Sequence, residues 1–265
     1  HHPRSVEATT KYFLAQATAA AVILFASMTN AWMTGEWNIT HMSHPTSTIM
    51  ITTALAMKVG LAPMHFWMPP VLQGLDLTTG LIMTTWQKLA PFALLIQTAP
   101  TMHPTLLTVL GLTSTIIGGW GGLNQTQLRK MLAYSSITHL GWMIIVIQFM
   151  PQLTILTLII YIIMTSATFL TFKLLLTTKI NTLALTWSKT PIITMTTALV
   201  LLSLGGLPPL TGFMPKWLIL QELTKQELPL TATILALSAL LSLYFYLRLC
   251  YAMTLTIAPN TSNST

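Results

Sequence analysis

The sequence has few charged residues for its length. Twelve Lys and Arg and five Asp and Glu make up 6% of its 265 residues, whereas about 25% is usual in a globular chain. Because 53% of the residues are hydrophobic, the polar side chains cannot cover a water-exposed globule of this size. A disordered chain needs the opposite balance of low hydrophobicity and high charge, so that class is also excluded. We therefore predict an integral membrane protein.

Motifs that bind cofactors or metals are also missing. Cys250 is the single cysteine, which excludes an internal disulfide and a cysteine-based metal site. The sequence contains no phosphate loop, no His-Glu-x-x-His motif, no Gly-x-Ser-x-Gly motif and no dinucleotide fingerprint. His41 and His44 have the spacing of a metal pair, but they lie in a loop without an adjacent acidic or cysteine partner, so we discount them. We expect neither a cofactor nor a metal on this chain.

Eight apolar stretches are long enough to cross a membrane, since a hydrocarbon core about 30 Å thick requires roughly 20 helical residues. None of them alternates like a membrane β-strand, and the connections between them are short. The sequence therefore predicts an all-α integral membrane fold, with about eight helices in a single transmembrane domain over residues 1–265. The predicted spans are about 10–33, 45–64, 77–99, 104–122, 131–149, 152–175, 191–222 and 228–255.

The basic residues outside the spans fall almost entirely on one side of the membrane. Alternating the side with each span places only Lys225 opposite the N-terminus, so the N-terminal side faces a matrix or cytoplasm. The longest basic run is Arg129-Lys130, which argues against a nucleic-acid surface. The N-terminal side receives Arg4, Lys11, Arg129, Lys130, Lys173, Lys179, Lys189 and Arg248.

Three further lysines, Lys58, Lys88 and Lys216, lie inside the apolar spans. An ammonium within the bilayer is costly unless it is paired or hydrated, so such residues are functional candidates. Lysine suits proton transfer because burial lowers the pKa of an ammonium and a nearby carboxylate raises it. The alternative is that each lysine extends to the lipid headgroups from near a helix end.

Gly and Pro residues interrupt the second and seventh spans close to two of these lysines. Pro208, Pro209 and Pro215 follow the pair Gly205-Gly206, and each proline removes a backbone donor, so we expect the seventh helix to be broken before Lys216. Broken helices at membrane depth are tolerated around polar cavities, where transporters build ion sites. A simple packing kink is the alternative, but it requires only one proline.

Lys58 and Lys216 lie five spans apart, so their helices run in opposite directions through the membrane. This is the geometry of an inverted repeat, in which corresponding helices carry corresponding sites. We expect residues 10–99 to belong to the remainder of a first repeat and residues 104–255 to a second.

Two histidines are relay candidates between proton sites. His139 lies within a span and titrates near neutral pH, although a hydrogen-bonded core histidine explains it equally well. His65 falls at the end of the second predicted span, where it either caps a proton path or belongs to the interface belt.

These segments carry a resemblance to a known family that extends over nearly the whole chain. The sequence resembles the subunit 2 family of antiporter-like membrane subunits from mitochondrial NADH:ubiquinone oxidoreductase (respiratory complex I), in its vertebrate, mammal-like form. The family is related to subunits of multi-subunit Na+/H+ antiporters. The most specific segments are residues 11–18, 56–67, 86–91, 120–142 and 204–217.

The resemblance implies a multi-pass subunit of the mitochondrial inner membrane that translocates protons beside other membrane-arm subunits. NADH, FMN, the iron–sulfur clusters and ubiquinone would be bound elsewhere in the complex. It also implies that Lys58 on one broken helix pairs with a membrane glutamate, that Lys88 relays, and that Lys216 lies on the other broken helix. His65 and His139 would map onto a polar axis at mid-membrane.

The sequence departs from the family pattern at both ends. In the family, the partner glutamate belongs to a helix that precedes the position of His1, and a last helix follows the position of Thr265. Neither helix is in this sequence, so we expect a chain truncated at both ends. Its five acidic residues all fall in loops or at span ends. Two other functions stay open at this stage, namely a subunit of a secondary Na+/H+ antiporter and a purely structural membrane spacer.

Overall fold

The computed structural model describes residues 3–254, which form helices and one isolated bridge between Gln127 and Lys179. The predicted all-α membrane fold is confirmed. Position 255, the predicted end of the last span, lies outside the described residues. The α-helices are α1 (Pro3–Thr34), α2 (Pro45–Val59), α3 (Met68–Gly74), α4 (Leu77–Thr84), α5 (Trp86–Thr98), α6 (Pro104–Leu123), α7 (Leu128–Ile147), α8 (Pro151–Leu174), α9 (Ile180–Ala184), α10 (Thr186–Lys189), α11 (Pro191–Gly205), α12 (Phe213–Lys225) and α13 (Pro229–Thr254).

Six helical segments of the described residues are long and apolar enough to cross a membrane. They are α1, the segment Pro45–Gly74 that contains α2 and α3, and helices α6, α7, α8 and α13. The two other predicted spans are also helical, but each consists of two helices too short to cross alone, α4 with α5 and α11 with α12. Counting each divided segment as one pass gives the eight passes of a multi-pass membrane protein.

The second and seventh passes are interrupted at equivalent points. Helices α2 and α11 each contain 15 residues and each begins with a proline. Each also ends at a glycine in the left-handed conformation, Gly60 with φ 88° and Gly206 with φ 81°. This likeness agrees with the inverted-repeat prediction. The two lysines are not placed alike, however, because Lys58 lies before the break in the second pass and Lys216 lies after the break in the seventh.

The third pass is also divided, which was not predicted because no proline lies at the break. The hydroxyls of Thr84 and Thr85 bond to the carbonyls of Gly80 and Leu81, at 3.0 and 2.8 Å. Threonine hydroxyls that bond back in this way bend helices. The backbone N–H of Lys88 donates to Thr85 at 3.3 Å, so it does not take the carbonyl of Thr84 as it would in a continuous α-helix.

Loops that were predicted to share the N-terminal side of the membrane lie together in the structure. The loops after α3, between α6 and α7, and after α8 are hydrogen-bonded to one another, and the last third of α13 joins them. Six of the eight basic residues predicted for this side lie in or next to these segments, namely Arg129, Lys130, Lys173, Lys179, Lys189 and Arg248. The connections are Arg129 to the Leu75 carbonyl, Leu128 N–H to the Thr178 carbonyl at 3.1 Å, and Arg248 Nη1 to the Leu123 carbonyl at 2.7 Å.

Helix α7 lies at the centre of the bundle, with 16 of its 20 residues buried. It packs most closely on α6 through glycines. A Cβ added to Gly141 would lie 2.7 Å from the Gly111 carbonyl oxygen, and one added to Gly118 would lie 2.7 Å from the side chain of Thr138. Small residues allow this approach between membrane helices. The serines and Thr138 of α7 are therefore buried within the bundle.

Candidate functional site

Lys88 is buried on α5, with 3% of its surface exposed, and it lies next to the division of the third pass. Its Nζ donates to the hydroxyl of Tyr161 on α8 at 3.3 Å, and lies 5.3 Å from the centroid of the same ring. The Tyr161 hydroxyl in turn donates to the Thr84 carbonyl at 3.3 Å, the group that the division frees. The break thus frees the Thr84 carbonyl, which is the last acceptor in a chain of hydrogen bonds that runs from the Lys88 ammonium through the Tyr161 hydroxyl.

Lys216 lies in the first turn of α12, directly after the break of the seventh pass. Its Nζ donates to the carbonyl of Gly205 at 2.8 Å. That carbonyl ends α11, where the free carbonyls and the helix dipole favour a cation. Gly206 leaves the room for the amine, because a Cβ at this position would lie only 2.9 Å from Nζ.

A small cavity lies beside Lys216. Tyr161, which binds Lys88, lines it together with His139 and Lys216. Its volume of about 20 Å³ has room for one water molecule. The His139 ring lies beside the Tyr161 ring, with centroids 5.6 Å apart. Two of the predicted site residues, His139 and Lys216, therefore line one cavity, and a third, Lys88, is bonded to Tyr161 in its wall.

Lys58 lies apart from this cavity, in the last turn of α2. Its backbone carbonyl accepts a hydrogen bond from Gln16 of α1 at 3.3 Å. Within residues 3–254, the ion pairs are Lys11–Glu7 and Lys225–Glu222, and Lys58 takes part in neither. The structure thus brings together two of the three predicted lysines, without an acidic partner for any of them in the described part of the chain.

His65 is buried, with 3% of its surface exposed, in the turn Met64–Trp67 between α2 and α3. The sequence predicts the second span to end at residue 64, but the pass continues through α3 to Gly74. This prediction was wrong because the break was taken as the end of the helix. His65 therefore lies within the pass, 6.4 Å from the ring of Tyr134, and its Nδ1 has no hydrogen-bond partner among the described residues.

Sequence reasoning did not identify the hydroxyl groups of the site. Tyr161 and Tyr246 are both buried in apolar passes. A tyrosine within an apolar span is the signal that was available, since a buried phenol usually has a polar partner.

A bundle of membrane helices in which two passes are interrupted at equivalent Gly-capped breaks is the architecture of antiporter-like membrane subunits. A family model described as "NADH:quinone oxidoreductase/Mrp antiporter, TM" matches residues 1–242. A second, described as "NADH dehydrogenase subunit 2 C-terminus", matches residues 243–265. The chain therefore belongs to the NADH:quinone oxidoreductase/Mrp antiporter membrane family, in its subunit 2 branch.

Curated relatives are similar over the whole chain. It is 78% identical to NADH-ubiquinone oxidoreductase chain 2 of Carassius auratus and 76% identical to that of Cyprinus carpio. Each match covers 100% of this chain and 76% of the relative. Both relatives are fishes, which confirms the vertebrate resemblance and relates the chain to fishes where the sequence suggested mammals.

Solved structures share the fold. A chain of respiratory complex I from Thermus thermophilus matches with a TM-score of 0.87 and 30% identity, over 95% of this chain and 60% of that one. A chain of the Mrp complex from Dietzia sp. DQ12-45-1b matches with a TM-score of 0.83 over 95% of this chain and 51% of that one. At 17% identity, the second likeness shows the fold alone.

Proposed function

We propose that this chain is a core membrane-arm subunit of the proton-translocating NADH:ubiquinone oxidoreductase of the mitochondrial inner membrane. Identity of 78% and 76% to two proteins named chain 2 of that enzyme supports the assignment. Its partners are the other membrane-arm subunits and the lipid bilayer. In this proposal NADH, FMN, the iron–sulfur clusters and ubiquinone are bound by other subunits.

The proton-translocation part of the proposal rests on the cavity that His139 and Lys216 line together with Tyr161, the hydrogen-bond partner of Lys88. Lys88 passes a proton to the Tyr161 oxygen as the hydroxyl proton of Tyr161, turned from the Thr84 carbonyl towards the cavity, passes to a water molecule there, so Tyr161 stays neutral. That water passes a proton on to His139 or to a neutral Lys216. Each group has a donor or acceptor in place, so the positive charge moves without a free ion crossing apolar protein.

Lys216 switches between two environments in this mechanism. Bound to the Gly205 carbonyl, its charged form is favoured by the end of α11; turned into the cavity, it faces His139 and apolar side chains such as Met164. Coupling to distant redox chemistry requires an element with two states, and the breaks of the second and seventh passes are the candidates. Lys58 and His65, at the second break, serve the same path from the other divided helix.

The test is the substitution Lys216→Met in the assembled complex, reconstituted in liposomes. Its proton translocation and coupled NADH oxidation should fall by at least about tenfold. This is a minimum, because a general acid–base group typically contributes about 10²–10⁴-fold to a rate. Lys225→Met, on the same helix but exposed and paired with Glu222, is the matched control and should behave as wild type. Unchanged turnover in an assembled Lys216→Met complex would remove the assignment.

A secondary Na+/H+ antiporter subunit is the alternative function, and it would use the same lysines and broken helices. The matches to subunit 2, at both the family and the individual level, favour the redox-driven complex. Purification of the native assembly separates the two, since only an NADH-oxidising assembly agrees with the proposal. Tolerance of neutral substitutions at Lys58, Lys88 and Lys216 together would instead indicate a structural spacer.

A further inference from the structure

Helices α6 and α13 pack side by side through two glycines of α6. A Cβ added to Gly119 would lie 2.9 Å from Cβ of Leu241, and one added to Gly122 would lie 2.8 Å from the ring of Phe245. The two helices are the fourth and eighth passes, so they run in the same direction and both end on the N-terminal side of the membrane. Their last turns therefore lie at the same depth.

A groove with a volume of about 610 Å³ runs along this helix pair. Two of its residues are exposed on the outside of the bundle, Leu240 by 58% and Tyr244 by 61%. Leu240 and Arg248 lie eight residues apart, which is about 12 Å along a helix. The groove is thus apolar towards the middle of the membrane and basic at its N-terminal side. It is lined by Leu123, Asn124, Leu240, Leu241, Tyr244 and Arg248.

The guanidinium of Arg248 is held across the groove. Its Nη1 donates to the Leu123 carbonyl of α6 at 2.7 Å, so the side chain is tied to the neighbouring helix and does not simply extend to water. This bond uses one of its five N–H donors. The ion pairs within residues 3–254 are Lys11–Glu7 and Lys225–Glu222, and the sequences of α6, α7 and α13 contain no acidic residue. The groove therefore presents a positive charge that the described residues do not neutralise.

We propose that this groove binds an anionic phospholipid from the leaflet on the N-terminal side, with its phosphate on Arg248 and an acyl chain along Leu240 and Leu241. A guanidinium binds phosphate through two parallel hydrogen bonds, and basic pockets between membrane helices bind anionic headgroups. Tyr244 lies between the two ends, and tyrosine is enriched at the level of the headgroups. The leucines favour a lipid over a free phosphate ion, which would leave them without a partner. The inference goes beyond the proton-translocating function and does not depend on it.

Photocross-linking in the assembled complex tests the proposal. The complex is placed in nanodiscs of phosphatidylcholine that contain a small fraction of phosphatidylglycerol with a diazirine in its acyl chain, and the attached lipid is mapped by mass spectrometry. We expect cross-links on residues 240–244 of α13. Unlabelled phosphatidylglycerol should displace them, whereas inorganic phosphate should not.

Two variants examine the two ends of the groove. Arg248→Gln removes the charge, and its amide can still donate to the Leu123 carbonyl, so the helix pair keeps its contact. Cross-linking should fall by at least about tenfold, the factor expected for a hydrogen bond to a charged group. Lys11→Gln is the matched control, because it removes an exposed charge on the same side of the membrane from α1, and it should cross-link as wild type.

Leu240→Trp fills the apolar end without changing the charge, and it should also reduce cross-linking. Leu230→Trp introduces the same side chain at another exposed position of α13, and should have no effect. Because both leucines are exposed on the outside of the bundle, neither substitution disturbs the core.

Three results would overturn the proposal. The first is equal cross-linking of Arg248→Gln and wild type. The second is equal cross-linking by phosphatidylcholine with the same diazirine chain, which would indicate unspecific contact with the bilayer. The third is cross-linking confined to other segments, which would indicate that a neighbouring subunit covers the groove. All of these readouts are independent of proton translocation, so this inference and the Lys216→Met test succeed or fail separately.

Discussion

Lys88 and Tyr161 are 73 positions apart in the sequence, yet the ammonium of the one donates to the hydroxyl of the other at 3.3 Å. The contact joins the third pass to the sixth. Because Tyr161 also lines the cavity with His139 and Lys216, it is the residue that connects Lys88 to the cavity beside Lys216.

Removal of the Tyr161 hydroxyl should reduce proton transfer from Lys88 more than it reduces the stability of the fold. Tyr161→Phe keeps the ring under the ammonium but leaves this buried charge without its hydrogen bond. A hydrogen bond to a charged group contributes about 1.5–3 kcal/mol, so proton translocation should fall by roughly tenfold or more. Thermal unfolding of the assembled complex should shift to lower temperature. Tyr251→Phe, which is 57% exposed on α13, provides the control; equal behaviour of the two variants would contradict the role of Tyr161.

Lys88→Arg should distinguish a proton carrier from a fixed positive charge. An arginine keeps the charge and the donors towards Tyr161, but its guanidinium does not release a proton in proteins. We therefore expect Lys88→Arg to translocate as poorly as Lys88→Met, with both variants assembled. The measurement is dye-detected acidification of reconstituted liposomes during NADH oxidation. Recovery of translocation by arginine, but not by methionine, would show that the site needs only the charge.

The sequence predicted those parts of the site that depend on rare residues in an apolar background. Lys88 and Lys216 stand out because ammonium groups are costly within a bilayer. The break before Lys216 follows from Pro208 and Pro209, which cannot continue a helix. Local chemistry is sufficient for such predictions, because each signal comes from one residue type in one segment.

Features that no rare residue type marks in the sequence could not be predicted. The division of the third pass arises where Thr84 and Thr85 bond back to their own helix, but threonines are frequent throughout these spans and nothing marks these two. Tyr161 becomes functional only because α8 places it next to Lys88. His65 was placed at a span end, since a single apolar run does not show that a helix resumes after a break.

Gly206 should be required both for its backbone conformation and for the space that it leaves to Lys216. A comparison with Gly35, which shares only the conformation, separates the two effects. Both residues have positive φ, 81° and 77°, so alanine costs about 1–2 kcal/mol at either position. Only at Gly206 would the new methyl group also meet Lys216, 2.9 Å from Nζ, whereas nothing lies within 4 Å at Gly35. Because the lysine end is flexible, it will move away and weaken its bond to the Gly205 carbonyl. Both Gly206→Ala and Gly35→Ala should therefore lower thermal stability to a similar degree, while only Gly206→Ala lowers proton translocation per NADH oxidised. Equal translocation by the two variants would mean that the position of the Lys216 amine at the end of α11 does not matter for transport.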